Sequence, residues 1–389
     1  MAKTPKISAK NIGESVDVIV VGGGAMGLST AWALAKRGAS VRVIEQFAIG
    51  HELGSSHGYS RIIRRAYFEH PDYVPLVDRA YALWRELERV SGESLLKITG
   101  IVEMGSPEGS LLKGSLLSCA QHHIPHERLG PVEIRKRFPQ FKVPDWMAGV
   151  WQKEAGILAV ERCLFTLRQE SRRLGAMIHE EEEVLAVEHD AFGSGVSVRT
   201  RIATYHAKSA VISAGPWAAK MLADLQLPLV VSRQAMGFYR PLKRDWFEPA
   251  AFPLFLMELP GHNFYGFPFF GIDALKVAHH HGGRMVTADN VDRSFNAEDD
   301  RLLRDYLEAH IPQGAGPLVM GKVCLYTNTP DMDFILDVHP RHKNIAIAAG
   351  FSGHGFKFAT TVGEVMADLA TSGKTNHPIG RFKLSRFKV

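Results

Sequence analysis

Cysteine is scarce in this sequence: Cys119, Cys163 and Cys324 are the only three in 389 residues, and they lie far apart. That excludes a disulfide framework and every Cys-x-x-Cys redox or zinc motif, and it fits a reducing, cytoplasmic setting. No apolar run approaches the roughly 18 residues a membrane-spanning helix needs, so no membrane partner is expected. The opening MAKTPKISAKNIGES is basic and polar without an apolar core, and reads as a loose tail over residues 1–15 in place of a secretion signal; the closing FKV is no peroxisomal address. Blocks of like charge are missing too. The formal net charge is +5, but the 46 Lys and Arg are dispersed, so no nucleic-acid partner is expected. A mild positive field still favours a small anionic substrate. There are no internal repeats. The single histidine run, His279–His281, has no carboxylate or Cys beside it. In a strand at most two of the three share a side, so no metal is expected and one histidine facing a pocket is.

What is present begins with VDVIVVGGGAMGLSTAWALAKRGASVRVIEQ. An apolar strand, Val16 to Val21, runs into Gly22-x-Gly24-x-x-Gly27, then an Ala/Leu-rich helix to about Arg37, and a second strand ending at Glu45. The glycines allow a tight turn, backbone approach to a pyrophosphate and close helix–strand packing, and Glu45 stands where an acid binds ribose hydroxyls. The unit therefore reads as dinucleotide-binding. The motif does not separate FAD from NAD, and the absence of an arginine directly after Glu45 argues against NADP. Next comes GSSHGYSRIIRRAY, where Ile62 and Ile63 between Arg61, Arg64 and Arg65 predict partial burial, and buried arginines need anions. Periodicity predicts an amphipathic helix in DYVPLVDRAYALWRELERVSG and a strand in ITGIVEMGS. The acidic run Glu180–Glu183 reads as a solvated strand edge. From about 231 to 320 the pattern is β-like and aromatic; afterwards NIAIAAGFSGHGFKFATTVGEVMADLA repeats the strand, glycine turn and helix order. The chain is thus α/β: a Rossmann-like nucleotide-binding domain (16–92, 150–230 and 322–389) interleaved with a β-rich α+β substrate domain (93–149 and 231–321).

Four stretches taken together, the Gly22-x-Gly24-x-x-Gly27 turn, GSSHGYSRIIRRAY, CLYTNTPDMDFILD and GFSGHGFKF, resemble the monomeric sarcosine oxidase and N-methyltryptophan oxidase group of the D-amino-acid oxidase superfamily. The first is generic and the other three are specific. The resemblance runs from Val16 to the end. It implies FAD as cofactor, held covalently through a thioether from Cys324 to the flavin 8α-methyl group. It implies that Arg64 and Lys357 hold the substrate carboxylate, that Tyr265 and His280 line the pocket, and that Lys276 sits beside the flavin and activates oxygen. Arg61, His57, Tyr326, Gly353 and His354 are implied near the flavin. Ala25, Met26, Ser55 and Gly355 complete the expected cofactor contacts. Lys276, His280, Tyr265 and Arg61 are the expected catalytic group, and Tyr326 and Gly353 are expected to touch substrate. The implied reaction is oxidation of a secondary amine to an imine that hydrolyses, with O2 reduced to H2O2, by a monomer. Three departures, Tyr59, Arg65 and Leu256, are expected around the substrate and flavin. They leave sarcosine, another N-methyl amino acid or a cyclic imino acid open as substrate, and another electron acceptor open in place of O2.

Overall fold

A computed structural model describes residues 10–11, 15–189 and 195–387. The loose-tail expectation falls largely outside them. Within the tail, Lys10–Asn11 pairs in parallel with Ala203–Thr204.

The first sheet runs Met177–His179, Val41–Ile44, Val16–Val21, Ala203–Ile212, Val196–Thr200, Val184–His189, with Ile345–Ala349 also paired to Ala203–Ile212. The pairs joining Met177–His179, Val41–Ile44, Val16–Val21, Ala203–Ile212 and Ile345–Ala349 are parallel. Their continuous apolar runs follow from burial on both faces. Helix Ala25–Lys36 packs on this sheet between helices Val160–Arg173 and Ala359–Ser372, and the shared core includes Val18, Val20, Leu28, Trp32, Val43, Val211, Val362 and Met366. The helix predicted after residue 71 spans Val74–Ser91 and buries Val77, Ala80, Trp84 and Leu87, the spacing of one helix face.

The second sheet runs Met285–Val286, Val230–Tyr239, Leu275–His280, His262–Phe267, Leu254–Leu259, Ile101–Gly105, Ala148–Gln152, Glu127–Leu129, with Leu318–Asn328 along the other side of Val230–Tyr239. Its core is aromatic: Phe141, Phe252, Phe255, Phe264 and Tyr306. Ser60–Ile63, Gly156–Ala159 and Leu96–Ile98 form a third, small sheet, packed on the second through Ile157 against Ile101, Leu254 and Phe267. The two large sheets alternate along the chain, as an interleaved architecture requires. The expected break between residues 321 and 322 falls inside Leu318–Asn328, so Cys324 and Tyr326 stand on the second sheet. No helix among the described residues is long and apolar enough to cross a membrane.

The acidic run is not a solvated edge. Glu182 is buried and accepts from Thr200 Oγ1 at 2.7 Å and Tyr205 OH at 3.0 Å. Glu180 accepts from Ile49 N and pairs with Arg168 and Arg172. The run pins the neighbouring loop, which periodicity cannot show.

Candidate active site

The glycine turn opens a groove of about 1410 Å³ between the two large sheets. Gly22, Gly24, Ala25, Met26, Glu45, Ser55, Arg61, Tyr326, Gly353 and Gly355 line it. Gly27 does not; it faces the strand, where a Cβ would lie 1.8 Å from Gly22 O, so only glycine allows the helix this close. Glu45 accepts from Gly23 N at 2.6 Å and Phe47 N at 2.9 Å, which fixes its carboxylate at the groove wall. Helix Ala25–Lys36 begins without a side-chain cap or an acid in its first turn, leaving free N–H groups and a partial positive charge at the groove. Uncapped donors, a glycine cradle and a fixed acid at the groove wall fit a dinucleotide cofactor.

Beyond the groove, one face of the second sheet gathers the other chemistry. Cross-strand register pairs Tyr265 with Ala278, Phe238 with Lys276 and Gln234 with Cys324, and alternation adds His280 and Tyr326 to that face. Arg61 reaches it from the strand Ser60–Ile63, with Nη2 3.7 Å from Cys324 Sγ and 3.0 Å from Ser55 O. Lys276 Nζ is buried and donates to Gly58 O at 2.8 Å and Ser60 O at 3.1 Å. Burial, then Arg61, holds the Lys276 ammonium far below the usual lysine range. Tyr326 OH lies 3.4 Å from His280 Nδ1 and 3.5 Å from Tyr265 OH, and burial keeps His280 neutral. His57 is fully buried and neither ring nitrogen has a partner. Burial, helped by Arg61, pushes it down to about 3.

A chamber of about 550 Å³ adjoins this face. Arg61, Arg64, Leu256, Tyr265, His280, Tyr326, Gly353, His354 and Lys357 line it together with Ile62, Phe68, Glu69, Phe267 and Phe356. Lys357 Nζ donates to His354 O at 2.8 Å and Tyr67 OH at 3.3 Å. Burial, then Arg64, brings it down to about 7. Tyr67 OH meets His354 Nδ1 at 2.7 Å, and burial lowers His354 to about 4. Each nitrogen of the Arg64 guanidinium faces an acceptor: Nη2 donates to Glu69 Oε2 at 2.8 Å, Nη1 to Ala66 O, and Nε lies 3.3 Å from Glu103 Oε1. Burial raises the Glu69 carboxyl, but Arg64, His354 and Lys357 outweigh it and the net shift is downward. Glu103 goes the other way, up to about 7, because burial exceeds the pull of Arg64 and Ser115.

Of the predicted residues, Gly27, His57, Lys276 and Cys324 line neither space; the last three lie close behind the groove wall. The departures scatter. Leu256 lines the chamber, Tyr59 lines a separate cleft with Glu161, and Arg65 points outward to Asp78 at 2.6 Å and Glu154 at 3.0 Å. Arg65 thus lies outside the chamber. His281 leaves the strand with φ 63°, so its ring lies 3.9 Å from that of His280, whereas His279 faces His262 at 3.1 Å. Glu69 and Glu103 were not anticipated. The signal was there for Glu103: a lone acid inside the apolar strand IVEMG.

The family profile described as "FAD dependent oxidoreductase" (DAO) matches residues 17–369. The chain is 38% identical over 377 residues to a monomeric sarcosine oxidase of Bacillus sp., covering 95% of this chain and 96% of that protein. It is 36% identical over 376 residues to an N-methyl-L-tryptophan oxidase of Yersinia pestis, covering 96% and 99%. A solved structure of NikD, titled "an unusual amino acid oxidase essential for nikkomycin biosynthesis", superposes with a TM-score of 0.83 at 27% identity over 95% of this chain and 98% of that one.

Proposed function

The chain belongs to the DAO family of FAD-dependent oxidoreductases, and we propose that it oxidises the C–N bond of a small N-methyl amino acid, sarcosine or a close analogue, with O2 as the electron acceptor. The observation that carries this reading is the meeting of a thiol, two basic side chains and a neutral His–Tyr–Tyr cluster at one sheet face, between a dinucleotide groove and a chamber holding Arg64 and Lys357.

When bound, FAD supplies the acceptor for a hydride equivalent. Gly22, Gly24, the Ala25–Met26 helix start and Glu45 would hold its phosphates and ribose, and Ser55, His57, Arg61, Gly353 and Gly355 would surround its ring. Cys324, beside Arg61, is the residue we assign to a covalent link. Arg64 and Lys357 take the substrate carboxylate and fix its orientation, which aims the C–H beside nitrogen. Glu69 contends for the same Arg64 donor, so an entering carboxylate must displace it. Neutral His280 and Tyr326 accept or share hydrogen bonds with the amine without adding charge against it. The small, apolar remainder of the chamber, Ile62, Phe68, Leu256 and Phe267, favours a compact side group. Lys276, whose ammonium form burial disfavours, would take up a proton and offset the negative charge that develops beside it during oxygen reduction. A monomer in a reducing compartment fits the three unpaired thiols and the Bacillus relative's name.

Acid precipitation of the purified protein tests the link: yellow flavin should stay with the pellet, and Cys324→Ala should release it. A peroxide assay against N-methyl, N,N-dimethyl and cyclic amino acids tests the substrate. Flavin found only in the wild-type supernatant sinks the covalent assignment, and turnover of none of the N-methyl substrates sinks the reaction.

A further inference from the structure

We propose that Glu103 is a positioning residue for substrate recognition: from behind the chamber, its buried carboxyl group competes with the substrate carboxylate for Arg64. This rests on the reading that Arg64 and Lys357 receive that carboxylate.

Glu103 sits mid-strand in Ile101–Gly105, beside Leu256 on one neighbour and Val150 on the other. It is 1% exposed and does not line the chamber, whereas Glu69 does. Oε1 faces Arg64 Nε at 3.3 Å without a hydrogen bond, and Oε2 accepts from Ser115 Oγ at 2.5 Å. The charged and titratable groups facing this pair are Tyr67 and Glu69 from the loop after Arg64, Tyr81 from helix Val74–Ser91, Cys119 from the helix that carries Ser115, His280 from the second sheet, and His354 and Lys357 from the second glycine turn. Glu69 is held below the usual carboxylate range and stays ionised across neutral pH. Glu103 is therefore the carboxyl whose charge changes near pH 7, where burial among Leu256, Val150 and their neighbours has brought it.

The sign follows directly. Below about pH 7 Glu103 is neutral, and the positive charge of Arg64 is opposed by Glu69 alone. Above it, Glu103 is ionised, and two internal carboxylates oppose one guanidinium. Lys357 loses its own charge over the same range, so both changes weaken a carboxylate ligand as pH rises. Binding of an anion then takes up protons.

Titrating the flavin-loaded enzyme with butyrate, an unreactive carboxylate, by calorimetry from about pH 6 to 9 tests this, with butyramide as the uncharged control. For the wild type, log Kd for butyrate should rise above pH 7 with a limiting slope approaching about 2, one for each titrating group. Glu103→Gln mimics the neutral carboxyl at constant volume. It should bind butyrate about tenfold more tightly near pH 8, with the slope falling to about 1. Ser115→Ala removes a hydrogen bond that favours the ionised form and should move the inflection to higher pH. Butyramide binding should stay flat in all three proteins. Glu103→Gln binding butyrate no more tightly than wild type at pH 8, or with an unchanged slope, overturns the proposal and leaves Glu103 a purely structural partner of Arg64. Wild type that fails to bind butyrate at every pH removes instead the assigned role of Arg64 and Lys357, and this inference with it.

Discussion

Lys276 and Lys357 have the same chemistry, and the proposed reaction gives them different tasks. Lys276 is 2% exposed and donates only to carbonyl and hydroxyl oxygens, so among the described residues no carboxylate pairs with it directly. Removing it with Lys276→Met should slow flavin reoxidation by O2 by about 10²-fold or more, the scale of one electrostatic stabiliser, while leaving anaerobic reduction by substrate close to wild type. Stopped-flow measurement of the two half-reactions separates these outcomes. Lys357 lines the chamber and is brought down to about 7 by burial, then Arg64. Between about pH 7 and 10.5 the folded protein binds fewer protons at this residue than the unfolded chain, so its contribution to stability improves as pH rises through that window and is lost as pH falls toward 7. Lys357→Met should therefore raise the melting temperature at neutral pH, by on the order of a few kcal/mol of stability, and flatten its dependence between pH 7 and 10. Its KM for the amino acid should rise by about two orders of magnitude through loss of a buried charge-assisted contact. Thermal melts across pH and steady-state kinetics check both halves.

At the scale of the element, the second glycine turn matters more than its composition suggests. Gly353 has φ +78°, and a Cβ there would lie 2.3 Å from the Tyr326 ring. Gly353→Ala should cost about 1–3 kcal/mol from backbone strain alone and should also displace Tyr326 from His280, lowering kcat more than stability predicts. Urea melts compared with turnover test that pairing. Helices were the most legible elements. Apolar spacing defined Val74–Ser91, and the glycine motif defined the start of Ala25–Lys36, because a helix buries one face regardless of what covers it. The acidic run Glu180–Glu183 misled because its partners, Arg168, Arg172, Tyr205 and Thr200, stand elsewhere along the chain and only the fold delivers them.

For the molecule as a whole, interleaving has a direct consequence. The first sheet needs Ala203–Ile212 and Ile345–Ala349, and the second needs Ile101–Gly105 and Leu318–Asn328, so a cut between residues 229 and 230 leaves neither large sheet complete on either side. Expressed separately, residues 1–229 and 230–389 should each be insoluble or unfolded, and co-expression should recover folded, flavin-binding protein; far-UV circular dichroism and gel filtration would show it. The nucleotide-binding unit, the alternating class of the chain and the four stretches that carry the family resemblance are all local, so the sequence by itself determined them. Glycine geometry and strand–helix periodicity need only neighbours a few residues apart. Three things were decided by the tertiary structure: that Cys324 and Tyr326 stand on the second sheet, that Arg65 turns to the surface, and that two carboxylates, Glu69 and Glu103, bracket Arg64. The reason is physical. Charge balance and burial depend on which distant segments pack together, and a buried acid announces itself in sequence only as one polar letter in an apolar strand.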